Sequence, residues 1–211
     1  MSNNYPQILT ELVELIKNYS NTLRSNPQPY TFDRLAQRYD LQYDWREEIY
    51  RETLLEHTGS LPVIATFLYP YIGVELDIGK VLLMLSFHDI GELQEGDIIT
   101  FLKKPEDGDK EVQFALQALN PIYHSVYLEF ESIETNEAKF AKSIDKLAPD
   151  VYDYIWPLAT VDRLTERLNI TKEEVVPKLR EFKAKHMLWN DFLINFHNEI
   201  MIGVENQIKK L

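Results

Sequence analysis

The sequence predicts an all-α fold. Three observations carry that expectation. Apolar residues recur at helical spacing through most of the chain, no stretch shows sustained period-2 alternation, and Thr171 with Glu174 has the spacing of a capping box. At 211 residues and 45% hydrophobic content the chain is expected to form one domain over residues 1–211 with a substantial core.

The first element is an amphipathic helix, because Ile8, Leu9, Leu12, Val13, Leu15, Ile16 and Tyr19 fall on one face. SNPQPY breaks it, and a short helix is expected around DRLAQRY. ETLLEHTGSLPVIATFLYP reads as a mostly buried helix in which Pro62 marks either a kink or a new start. Asp77 is the expected N-cap of the next helix, GKVLLMLSFHDIGELQ, which is expected to stop near Gly96. KKPEDGDK has the composition of a surface loop, and helical patterns resume in EVQFALQALN, YHSVYLEFESI and NEAKFAKSIDKLA. The capping box in TKEE then fixes a helix start.

Composition removes several function classes. The formal net charge of -12 repels phosphate polymers, so DNA and RNA are not expected partners. A small phosphorylated substrate stays open provided something supplies local positive charge, which a bound metal ion can do. The absence of cysteine excludes disulfides, zinc fingers and thiol nucleophiles, so any metal site must use nitrogen and oxygen. No apolar run approaches the roughly 18 residues of a membrane span and no basic, apolar leader opens the chain, which makes the cytoplasm the expected location, with no membrane partner.

The stretch FHDIGELQEGDI carries the chemistry. An apolar run, VLLMLSF, ends in adjacent His88 and Asp89, followed by carboxylates at Glu92, Glu95 and Asp97. On a helix His88 and Glu92 share a face and Asp89 neighbours Glu92, whereas His88 and Asp89 diverge by about 100°. Both can reach one ion only near a helix end, and further ligands must come from other helices. His57 in LLEHTGS and Asp145 in KSIDKLA have suitable chemistry in apolar helical settings. A single histidine on an apolar face is usually a hydrogen-bonded core residue; the ordered set weighs more, because unpaired polar groups in such settings are costly.

The pattern His57, His88-Asp89, Asp145 resembles the HD-domain metal-dependent phosphohydrolase superfamily. ETLLEH, HDIGELQEGDI and LEFESIETNEAKFAKSIDKL are similar to the branch containing the bacterial 5'-deoxynucleotidases and their eukaryotic relatives, over about residues 46–150. The resemblance implies a helical bundle, commonly a homodimer, around one divalent ion. It makes His57, His88, Asp89 and Asp145 the metal ligands and Glu92 and Asp97 the catalytic carboxylates. It also implies an upstream arginine on the substrate phosphate. Arg46 and Arg51 both compete for that role, and Arg46, which follows Trp45, is preferred.

Two imidazoles and two carboxylates suit manganese, cobalt, iron, nickel or magnesium. The expected activity is hydrolysis of a nucleoside 5'-monophosphate by attack of a metal-activated water on phosphorus, with Glu92 and Asp97 as base and acid in either order. Hydrolysis of another nucleotide or small phosphate ester is the alternative within the enzymes. Outside them, the alternative is a regulatory module that binds metal and nucleotide without turnover. No GYP-type extension follows the His-Asp pair, which disfavours cyclic dinucleotides.

The remaining candidates have ordinary explanations. Glu131 and Glu137 fit a solvated helix face, Lys142 and Lys146 can balance nearby acids, and His124, His186 and His197 complete no ligand spacing. Trp156, Trp189, Phe192 and Phe196 have the spacings of core or dimer contacts. After Asp145 the relatives continue Lys-Leu-Glu, where this chain has KLAPD. Residues 151–211 carry no motif and are expected to be C-terminal helices that cover the pocket or build a dimer contact.

Overall fold

A computed structural model describes residues 4–21, 54–93, 102–155 and 157–210. The described residues form α-helices joined by short turns, several of them 3-10, and contain no strand. The all-α expectation holds. The helix expected around DRLAQRY lies outside the described residues, as do Trp156, Arg46, Arg51 and Asp97.

In chain order the helices are α1 (Tyr5–Asn21), α2 (Leu54–Leu68), α3 (Ile78–Phe87), α4 (Pro105–Ala118), α5 (His124–Ser132), α6 (Asn136–Ile155), α7 (Pro157–Leu168), α8 (Val175–Lys183) and α9 (Asp191–Ile208). The 20-residue α6 is the central element and packs against α2, α3, α5, α7 and α9. Its buried face presents Phe140, Ile144, Leu147 and Val151 to Leu61, Ile64 and Leu68 of α2, Met84 and Leu85 of α3, and Phe196, Ile200 and Val204 of α9. Each such side chain contributes about 1.5–3 kcal/mol by leaving water. Phe192 and Phe196 stack with centroids 5.5 Å apart inside this core, and Trp189 donates its indole N–H to the Ser143 hydroxyl at 2.8 Å.

The N-terminus of α3 forms as its sequence predicts, because the Asp77 carboxylate accepts a hydrogen bond from the Lys80 amide at 3.0 Å. This turn is tied across the bundle. The Asp77 amide donates to Glu137 at 3.1 Å and the Lys80 ammonium donates to Glu129 at 2.8 Å, so Glu137 joins helices, while Glu131 stays exposed on α5.

Two local expectations change and a third narrows. Pro62 does not start a new helix; it lies inside α2, among the buried Leu61, Ile64 and Ala65. KKPEDGDK is a loop only as far as Lys104. Pro105 opens α4, where its missing N–H costs nothing, and the Asp107 carboxylate accepts from the Lys104 amide at 2.9 Å. Turn-like composition here is a helix's first turn. The α3 helix ends at Phe87, well before Gly96, and the chain continues as a 3-10 turn over Ile90–Leu93.

The capping box works as expected: Glu174 accepts from the Thr171 amide at 2.7 Å, and a 3-10 turn leads into α8. Within residues 150–210, α9 packs on α6 and α1 and contributes to the core. A buried polar network reinforces that packing. Asp150 binds Lys183 through one oxygen and His197 Nδ1 through the other, the latter at 3.0 Å, while Thr160 donates to Asp153 at 2.6 Å. α6 is thereby linked to α7, α8 and α9.

Candidate metal centre

Four side chains from three helical segments converge beside α6. His57 comes from the first turns of α2, His88 caps the C-terminus of α3, Asp89 follows it, and Asp145 lies mid-way along α6. Both Nε2 atoms of His57 and His88 lie 3.5 Å from Asp145 Oδ1. Asp89 places Oδ1 3.0 Å from His88 Nε2 and Oδ2 3.6 Å from His57 Nε2. One ligand atom each from His57, His88 and Asp145 falls within 4.8 Å of the others, and no other group of three such residues converges in this way among the described residues. His88 itself keeps helical backbone angles, and the pair sits at the junction between α3 and the 3-10 turn over Ile90–Leu93.

The donor chemistry fits a cation. His88 Nδ1 donates to the Leu85 carbonyl at 3.1 Å, which leaves Nε2 with its lone pair directed into the cluster. That Nε2 is buried and has no hydrogen-bond partner of acceptable geometry. Burial disfavours charge on His88, but the Asp145 and Asp89 carboxylates outweigh it and push its pKa up to about 9. The cluster thus attracts positive charge at Nε2, which a metal ion can supply as well as a proton. Phe130 meets the His88 ring edge-on at 5.4 Å and fixes its plane.

Asp145 is the electrostatic hub. Burial opposes its charge, but Lys146 and Lys142, and then the two imidazoles, hold its carboxyl well below the usual range. The ammonium groups lie 3.1 and 3.4 Å from Oδ2. Nothing in the sequence assigned these lysines more than charge balance, although their spacing around Asp145 was visible. His186 also belongs to this neighbourhood: burial, then Lys146 and Lys142, push its pKa down to about 4, so it is neutral near pH 7.

Glu92 lies in the 3-10 turn after Asp89, whose carbonyl accepts the Glu92 amide at 2.9 Å. Its Oε1 is 4.0 Å from the Lys103 ammonium, which also makes a short contact with Glu111. Gly91 makes this approach possible: a Cβ there would sit 2.6 Å from the Glu111 carbonyl oxygen. No spacing in the sequence marks Lys103 or Glu111, because the contact depends on how the 3-10 turn packs on α4. Tyr127 is buried, and burial together with Glu131, Glu111, Asp89 and Glu92 raises its pKa, so the phenol keeps its proton.

A family model described as "HD domain" matches residues 42–187. The chain belongs to the HD domain family. The match contains His57, His88, Asp89 and Asp145 and extends to the start of the α9 region, beyond the segment of about 46–150 expected from motifs. Among solved structures, this HD domain is similar to a predicted metal-dependent phosphohydrolase from Magnetospirillum magnetotacticum MS-1, at 22% identity and a TM-score of 0.56, over 74% of this chain and 79% of that one. It is also similar to a conserved hypothetical protein from Pyrococcus furiosus, at 23% identity and a TM-score of 0.48, over 76% and 84% of the two chains. None of the curated proteins matches. Among the described residues, no helix of the HD domain is long and apolar enough to cross a membrane.

Proposed function

We propose that the protein is a metal-dependent phosphohydrolase that cleaves phosphate monoesters, with nucleoside 5'-monophosphates as the first substrates to test. The observation that carries this reading is the convergence of His57, His88 and Asp145 within 4.8 Å, with Asp89 against both imidazoles. His57, His88, Asp89 and Asp145 would hold one divalent ion, drawn from manganese, cobalt, iron, nickel and magnesium by the mixed nitrogen and oxygen donors. The ion supplies Lewis acidity, lowering the pKa of a water and polarising a phosphoryl oxygen.

The chain's own residues do the rest. Leu85 fixes the His88 tautomer through its carbonyl, so that Nε2 faces the cluster. Glu92 takes the proton of the attacking water, and Asp97 returns one to the leaving alkoxide or exchanges that role with Glu92. Lys103 sets a positive charge 4.0 Å from the Glu92 carboxylate. Arg46 contacts the substrate phosphate. The working form is a homodimer in the cytoplasm, each chain folded as one domain. Support for this reading comes from the family match, from the sequence resemblance to the 5'-deoxynucleotidase branch, and from a similar structure carrying the phosphohydrolase description.

The test pairs elemental analysis of the purified protein with phosphate release from a nucleoside monophosphate panel in added manganese or cobalt, with Asp89→Ala as control. About one metal ion per chain and release lost in the variant is the expected outcome. Bound metal without release from any ester favours the regulatory alternative, and absence of metal under replete conditions overturns the site.

A further inference from the structure

Lys142 and Lys146 both close on one oxygen of Asp145, Oδ2, at 3.4 and 3.1 Å, while Oδ1 faces the two imidazoles. The carboxylate side chain is 7% exposed, and the lysine side chains keep 21% and 22%. The lysine side chains thus keep more exposure than the acid they pair with. Lys142 is further held 4.6 Å above the ring of Phe130, the same ring that meets His88.

The charge count around the cluster is informative. Asp89 and Asp145 bring two negative charges, and Lys142 and Lys146 bring two positive ones, so these four groups sum to zero. Two carboxylates alone would neutralise a divalent ion. Glu92, whose charge also reaches Lys146, offsets part of the ion's charge, and the two lysines leave the remainder open to an anion. A phosphate monoester, which carries nearly two negative charges near pH 7, is attracted to that remainder. In a chain of net charge -12, such a local reversal of sign is what allows a small phosphate to approach.

We infer that Lys142 and Lys146 form a phosphate-docking pair beside the candidate metal centre, receiving the dianionic end of a phosphate monoester. The inference deepens the phosphohydrolase reading and rests on it for the ligand class. A purely structural role for the lysines predicts something different. If they only clamp Asp145, removing one loosens a metal ligand and weakens cation binding. If they dock phosphate, removing one takes positive charge away from the ion's surroundings, leaving cation binding intact or tighter while anion binding falls.

The test is calorimetric, on the full chain, with Lys142→Gln, Lys146→Gln and the charge-keeping Lys142→Arg and Lys146→Arg. Each single variant leaves Asp145 one ammonium or guanidinium partner, which preserves the fold. Manganese is titrated into metal-free protein, and inorganic phosphate into the manganese-loaded form. The expected result is unchanged or tighter manganese binding in the glutamine variants, phosphate affinity weakened by about tenfold or more, and partial recovery in the arginine variants. Phosphate affinity within about twofold of wild type in both glutamine variants overturns the inference. So does a parallel loss of manganese and phosphate binding, or no phosphate binding by the wild type. Lysine-dependent phosphate binding with no ester hydrolysed supports the docking pair and sinks the hydrolase reading; hydrolysis with phosphate binding indifferent to both lysines does the reverse.

Discussion

Nε2 of His88 stands 3.0 Å from Oδ1 of Asp89, the next residue in the chain, while Nδ1 of the same ring is committed to the Leu85 carbonyl. Consecutive residues in an unbroken helix point about 100° apart. The pair nonetheless meets at the end of α3, where Asp89 Oδ1 reaches back to the His88 ring. A ring nitrogen and a carboxylate this close call for positive charge between them, which a proton on Nε2 or a metal ion can supply.

Removing either side of that arrangement should remove the ion. His88→Ala and Asp145→Asn are expected to lower bound metal from about one per chain to near zero under replete conditions, as read by elemental analysis. Asp145→Asn also strands Lys142 and Lys146, and a cost of about 1–3 kcal/mol should appear in urea denaturation.

Gly91→Ala tests the packing of the 3-10 turn on α4. The added Cβ meets the Glu111 carbonyl oxygen at 2.6 Å, and backbone cannot yield as a flexible side chain can. Destabilisation of about 1–3 kcal/mol is expected, with a fall in phosphate release because Glu92 moves with the turn. A denaturation midpoint and a progress curve on the same sample check both.

Glu92→Gln separates chemistry from metal binding. Loss of its proton-transfer role should lower kcat by about 10²–10⁴-fold while metal content stays unchanged. Asp97→Asn should behave in the same manner. Retention of full kcat in both variants would remove the two carboxylates from the mechanism.

His186 gives a pH signature. Its pKa is pushed down to about 4 in the folded chain, from the ordinary imidazole value of 6.5. Between those values the unfolded chain takes up a proton that the folded chain refuses, so stability falls as the pH drops from 6.5 toward about 4. His186→Gln should flatten that part of a plot of denaturation midpoint against pH and leave the neutral region's slope unchanged.

Much of the site was legible because it depends on local order. His57, His88-Asp89 and Asp145 sit in apolar helical contexts, and Asp77 and Thr171 mark helix starts that the structure contains. What could not be read depends on packing or on ambiguous composition. PEDGDK has the residues of a turn, but acids behind an N-terminal proline are also what a helix's first turn requires. The end of α3 at Phe87 carries no breaker residue, whereas Gly96 advertises one. Lys103 reaches Glu92 only because Gly91 lets two elements touch, and Asp150 finds Lys183 and His197 across long stretches of sequence. Ion pairs of this kind are set by tertiary geometry, and no spacing rule within one segment reveals them.

Two of the helices that carry candidate ligands each contain a proline shortly after that residue: Pro62 follows His57 in α2, and Pro149 follows Asp145 in α6. A proline has no amide hydrogen for the carbonyl four residues earlier, so the carbonyls of Thr58 and Asp145 each go without that rung of the ladder. The turns that carry the ligands are thus less stiffly braced than the apolar segments that anchor them. Coordination distances differ by tenths of an ångström among divalent ions, and a frame with this compliance can follow such differences while Leu61, Ile64, Leu147 and Val151 keep both helices in place. A site built this way would accept divalent ions of more than one size, through its backbone as well as its donors.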